Sequence, residues 1–69
     1  MLKYRKLRGR LAELGMTQQS LADAMGVTVQ TLNAKLNGHR DFRLPEIRTI
    51  CTILNISPEG IAIFFDASA

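Results

Sequence analysis

The sequence contains no tryptophan, one cysteine, one histidine and two prolines among its 69 residues. A single cysteine, Cys51, excludes an intramolecular disulfide. With the lone His39 it cannot build a cysteine-rich metal site, so neither a metal nor a cofactor is expected. Aromatics are scarce, one Tyr and three Phe, and a core has to be assembled from Leu, Ile, Met and Ala. No uninterrupted apolar run approaches the roughly 20 residues that cross a bilayer. The basic N-terminus is not followed by the apolar segment of a secretory leader. No membrane association is expected, and the cytoplasm is the expected location. Strand-like alternation of apolar and polar residues is nearly absent, which leaves all-α as the fold class. No nucleophile–base pairing, paired carboxylates or phosphate-cradling glycine loop is present, so neither an enzyme nor a small-molecule substrate is expected.

What is present is enough for one small domain. Apolar residues make up 46% of the chain, which supplies a core and argues against disorder. The formal net charge of +3 leans mildly toward polyanions. Its distribution says more than its size. Lys3, Arg5, Lys6, Arg8 and Arg10 crowd the first ten positions, and Glu13 is the one acid in that region. Leu7, Leu11 and Leu14 recur at helical spacing, with Tyr4 one turn earlier, and define a core stripe ended by Gly15. The cationic face opposite is either a solvated surface or a phosphate-contacting one that uses one or two side chains, Arg10 among them.

Residues 16–38 organise the rest. Thr17 is a plausible N-cap, and Leu21, Ala22 and Met25 form an inward stripe. Gly26 ends that helix, Val27 plugs the turn, and Thr28 caps a second helix whose inward residues are Leu32 and Leu36. Gly38 closes it. Two helices of about eight residues around a glycine-centred turn define a helix-turn-helix, and Ala22 provides the small side chain that a steep crossing requires. The second helix keeps Thr28, Val29, Gln30, Thr31, Asn33, Ala34 and Asn37 on its outer side. Amide and hydroxyl groups of this kind suit base edges in the major groove, where a Gln or Asn amide both donates to and accepts from adenine.

At these positions the chain resembles the λ-repressor/Cro-like family of helix-turn-helix DNA-binding proteins. The matching pattern is T-Q-x-x-L-A-x-x-x-G-V-T-x-x-T-L-x-x-x-L-N-G, from Thr17 to Gly38, and the likeness extends less sharply to about Phe65. The resemblance implies a five-helix λ-repressor-like DNA-binding domain spanning residues 1–69, with a frayed tail at about 66–69. It further implies that Gln18 lies across the DNA backbone at the groove edge and that Val29, Gln30 and Ala34 touch bases. Gln30 is the foremost candidate for direct readout, while Val29 and Ala34 offer apolar contact to a thymine methyl. Base contact is thus expected from Gln18, Val29, Gln30 and Ala34. Phosphate contact is expected from Thr17, Thr28, Thr31, Lys35, Asn37, Arg40 and Arg43, with Arg10. For Asn33 and Lys35 a water-exposed role is an equal alternative.

Beyond the motif, Arg40 and Arg43 flank Phe42, which reads as a core anchor. Asp41 can pair with either arginine, and His39 reads as an exposed or loop-bonded imidazole. Pro45 and Glu46 suit the first turn of a helix over 44–54 with Ile47, Ile50, Cys51 and Leu54 inward. Ser57-Pro58-Glu59 starts another helix. Residues 60–65 are too apolar for one buried face, so Ile63 with Phe64 or Phe65 is expected to form a two-fold dimer contact. Alternatively this stretch is extended and adds a strand to its copy.

Two functions follow. One is a sequence-specific regulator that binds double-stranded DNA as a homodimer, of the small phage or prophage Cro type or the DNA-binding part of a longer repressor. The other is a protein-interaction module of the same fold, antitoxin-like or anti-repressor-like, that uses its apolar C-terminal segment.

Overall fold

The computed structural model describes residues 2–68; Ala69, the end of the expected tail, lies outside them. The chain runs α1 (Arg5–Glu13), α2 (Gln18–Met25), α3 (Val29–Leu36), α4 (Leu44–Leu54), a 3₁₀ turn (Pro58–Gly60) and α5 (Ile61–Phe64). Among the described residues there is no strand, so the all-α, five-helix expectation holds, and the alternative of an extended C-terminal segment does not. No single helix among the described residues is long and apolar enough to cross a membrane.

Local chemistry accounts for the helix boundaries. At the start of α2 the Thr17 hydroxyl accepts the Ser20 N–H at 3.0 Å, and the Ser20 hydroxyl oxygen accepts the Thr17 N–H at 2.9 Å. This reciprocal box satisfies two donors that an uncapped helix would leave bare. Thr28 does the same work more simply for α3, accepting the Thr31 N–H at 3.2 Å. Gly26, at φ 74, turns the chain between them. The Val27 N–H reaches back to the Ala22 carbonyl at 3.0 Å and the Gly26 N–H to that of Asp23 at 3.2 Å. This six-residue closure needs a left-handed residue at its pivot, where a side chain would be strained.

The core consists of Tyr4, Leu7, Leu11, Leu21, Ala22, Leu32, Leu36, Ile50, Leu54 and Ile56. Ala22 is fully buried, as the crossing of α2 and α3 requires. Leu14 departs from the expected stripe and is 43% exposed. The reason is that α1 ends at Glu13, and the left-handed Gly15 redirects the chain. The Met16 N–H then closes onto the Leu11 carbonyl at 2.9 Å, and Met16 takes the place against the core that Leu14 was expected to fill. Ile50 and Leu54 are buried as expected, whereas Ile47 and Cys51 are half-buried. Burial pushes the Cys51 thiol above its ordinary range, which keeps it a neutral packing group.

The two ends of the chain are joined by an aromatic row. Tyr4 meets Phe42 edge-to-face at 5.2 Å between ring centroids, and Phe42 meets Phe65 in the same way at 5.5 Å. Phe42 is therefore the core anchor that the sequence suggested. The row also accounts for Tyr4, which stands in the left-handed region at φ 55, a conformation costing about 1–2 kcal/mol for a residue with a side chain. Burying the ring against Phe42 offsets that cost. Residues 66–68 take part in hydrogen bonds. The Ala67 carbonyl accepts the Tyr4 N–H at 3.4 Å, and Asp66 Oδ1 accepts both the N–H and the hydroxyl of Ser68, at 3.0 and 2.7 Å.

Candidate nucleic-acid interface

α3 exposes the face that the sequence assigned to it. Val29, Gln30, Asn33, Ala34, Asn37 and His39 together line a shallow concavity along its outer side. Gln30 is exposed, and Ala34 is half-buried. Val29 is half-buried and touches the core, so only part of its side chain belongs to the outer surface. Thr31 is half-buried, and its hydroxyl lies 2.9 Å from that of Thr28. His39 is exposed, and its backbone N–H closes the helix end onto the Ala34 carbonyl at 2.9 Å.

A row of side-chain hydrogen bonds runs beside this surface. Asn33 Nδ2 donates to Gln18 Oε1 at 3.0 Å, which ties the start of α2 to the middle of α3. Asn37 Nδ2 donates to Asn33 Oδ1 at 2.6 Å. Arg8 Nη2 donates to Asn37 Oδ1 at 3.0 Å and to the Leu36 carbonyl at 3.1 Å. Asn33, expected to be either a contact residue or filler, is thus a link between the two motif helices.

Four of the residues assigned to phosphate or dimer contact stand elsewhere: Lys35, Arg10, Phe64 and Phe65. Lys35 is only 5% exposed and is paired with Glu46 Oε2. It is an internal cation and is not available to a phosphate. Its position was readable, since Leu32, Lys35 and Leu36 share one face at the spacing that faces a core. The partner was missed. Glu46 also accepts the Arg43 N–H at 2.8 Å through its other oxygen, so one carboxylate caps α4 and neutralises Lys35. Burial works to raise the Glu46 carboxyl, yet the bonds from Lys35 and the Arg43 N–H, with the two nearby positive charges, outweigh it and hold the group below the ordinary range.

Arg10 is also turned inward. Its Nε donates to the Leu54 carbonyl at the end of α4 at 3.0 Å, and its Nη1 stands 3.7 Å from Glu13. A cation at a helix C-terminus meets both a bare carbonyl and the negative end of the dipole, and this removes Arg10 from the outer face. In the C-terminal segment Phe65 packs on Phe42, and Phe64 is half-buried. A Cβ on Gly60 would stand 3.3 Å from the Phe64 ring, so that ring lies back on the 3₁₀ turn. Of the three expected interface residues only Ile63 is well exposed, at 51%.

Arg40 and Arg43 are exposed. With Asp41 they rim a small recess over Lys35. Asp41 forms no ion pair among the described residues, so neither arginine is neutralised by it. At the start of α2, the N–H groups of Gln18 and Gln19 have no partner among the described residues, as in the first turn of any helix.

A capped helix pair around a left-handed glycine, with the polar side of its second helix open and exposed arginines just beyond, defines a helix-turn-helix DNA-binding protein. The chain matches the Cro/C1-type helix-turn-helix DNA-binding domain over residues 6–67 and belongs to that family. Domains of this family typically act by binding and not by catalysis. No curated protein sequence shows significant similarity to the chain.

Proposed function

We propose that the protein is a sequence-specific transcriptional regulator of the small Cro type, of phage or prophage character, that binds a two-fold operator as a homodimer. The carrying observation is the uncovered outer face of α3, with Gln30 exposed between Val29 and Ala34. Gln30 supplies direct readout through its amide, and Val29 and Ala34 meet the thymine methyls. The first turns capped by Thr17 and Thr28, with Thr31, Asn37, Arg40 and Arg43, hold the phosphates on either side. Ile63 is the residue best placed for the dimer contact, which would set half-sites about 34 Å apart.

Selection of bound sequences from random duplex DNA tests this reading directly, because it reports binding, motif and spacing together. A two-fold motif is the expected result. Gln30→Ala should weaken the selected site by about 1–3 kcal/mol and leave random DNA nearly unaffected. Absence of duplex binding even at low salt would instead favour the protein-interaction reading.

A further inference from the structure

We infer that Arg8 is a positioning residue that fixes, through Asn37 and Asn33, which end of the Gln18 amide is presented to DNA. The inference rests on the DNA-binding reading above but concerns the internal links between Arg8, Asn37, Asn33 and Gln18, and Arg8 itself has no assigned contact to DNA. A carboxamide can be reversed, because its oxygen and nitrogen have nearly the same shape, and an isolated Asn or Gln presents either end. A guanidinium cannot be reversed, because it only donates.

Arg8 is anchored at both sides. Its Nε donates to the Lys3 carbonyl at 2.7 Å and its Nη2 to the Leu36 carbonyl at 3.1 Å. The atom of Asn37 that faces it must therefore be Oδ1, found at 3.0 Å. Asn37 then turns Nδ2 toward Asn33, which answers with Oδ1. Asn33 in turn donates Nδ2 to Gln18 Oε1. Each step leaves one choice for the next, and the row ends with Gln18 Nε2, which donates to nothing among the described residues. The end left free is a donor.

The consequence is chemical selectivity. Gln18 at the groove edge is set to donate to an acceptor, a phosphate oxygen, and its own acceptor atom is already engaged. Hydrogen bonds aligned in one direction polarise one another, so the positive charge of Arg8 strengthens the donor at the far end without approaching the duplex.

Two measurements on the full chain test this. Side-chain amide NMR of the DNA-free protein should show the Asn33 and Asn37 NH₂ signals, and that of Gln18, shifting in Arg8→Met, with Arg8→Lys restoring most of the wild-type pattern. Unmoved signals would overturn the relay, whatever DNA does. Asn33→Ala, at an exposed position, breaks the row without touching the core and should shift the Gln18 and Asn37 amide signals, both of which lose their Asn33 partner, if Arg8→Met proves poorly folded.

The second measurement is duplex affinity against salt for Arg8→Met, Gln18→Ala and the pair, on a selected site. Each single variant should lose about tenfold, and the double variant little more than Gln18→Ala alone, with the salt slope of Arg8→Met unchanged. Multiplying losses, or a slope flattened by about one, would make Arg8 an independent contact and overturn the proposal. If NMR shows the relay but wild-type protein binds no duplex, the DNA-binding reading fails and the relay stands.

Discussion

Arg8 and Arg10 of α1 and the two arginines of the loop after α3 carry the same charge in different surroundings. Arg8 and Arg10 each reach a helix end, the carbonyls of Leu36 and Leu54 respectively. The guanidinium groups of Arg40 and Arg43 have no hydrogen-bond or ion-pair partner among the described residues, and both residues stand exposed. The cause is placement. α1 lies where α3 and α4 finish, and a bare C-terminal carbonyl attracts a cation. A basic stretch in such a place is partly consumed by the fold, whereas a shorter one in a loop remains free for a polyanion. Charge density along the chain is therefore a poor guide to charge on the surface.

The largest expected effect concerns the cation that sits between these two groups. Lys35 rims the recess below Arg40 and Arg43 but belongs with the internal cations. Glu46→Ala would leave it buried without a partner and should destabilise the fold by about 2–4 kcal/mol in urea unfolding. Glu46→Ala combined with Lys35→Met should recover most of that loss. The same pair gives a pH signature. The folded state holds the Glu46 carboxyl below the ordinary glutamate value of about 4.3. Its contribution is thus complete above that value and is lost as pH falls through the lower folded one. Wild-type stability should drop in that acid range, and Glu46→Gln should flatten the drop. A Glu46→Ala variant as stable as wild type would return Lys35 to the exposed cations.

Arg10→Met and Arg43→Ala set the comparison against itself. Arg10→Met should cost about 1–2 kcal/mol of stability, because the Leu54 carbonyl loses a charged donor. It should leave the salt dependence of DNA binding as it is. Arg43→Ala should do the reverse. Stability should change little, while affinity for all duplexes falls together and the slope of log affinity against log salt flattens by about 0.9, the value for one phosphate. Interchanged outcomes would place the DNA-facing charge on α1.

The motif was legible because each of its signals is local. A cap is read from Thr17 and Thr28, a stop from Gly26, and an inward face from Leu21, Ala22, Leu32 and Leu36. Gly26 was also readable for the reason it is there, since only one residue type pivots freely at φ 74. Long-range partners had no such signal. Nothing in the spacing of Arg10 names the Leu54 carbonyl 44 positions away, and nothing near Asn33 names Gln18. Leu14 misled because periodicity extends past the point where a helix stops. Phe65 misled because an apolar run says how much must be covered and not by which side chain. Phe42, a lone aromatic between charges, covers it. Lys35 lay between these cases, since its shared face with Leu32 and Leu36 was visible and Glu46 was not.

The smallest predicted effect probes the outer side of α1, between the two inward arginines. Gly9 is exposed, and a Cβ there would meet nothing within 4 Å. Glycine in the middle of a helix costs about 0.5–1 kcal/mol relative to alanine, chiefly because the unfolded chain keeps more freedom. Gly9→Ala should therefore stabilise the fold by that amount and raise the melting temperature by a few degrees, roughly 4–8 °C for each kcal/mol in a domain of this size. A firmer α1 should also hold Arg8 and Arg10 more steadily against α3 and α4. If the outer side of α1 stays clear of the duplex, as the inward turn of Arg8 and Arg10 implies, DNA affinity should not change. A methyl group is small, but a phosphate backbone lying against Gly9 would feel it. Gain in stability with loss of affinity would show that α1 lies on the DNA after all, with its glycine kept for a close approach. Gain in both, or in stability alone, would confine DNA contact to the motif and the loop that follows it.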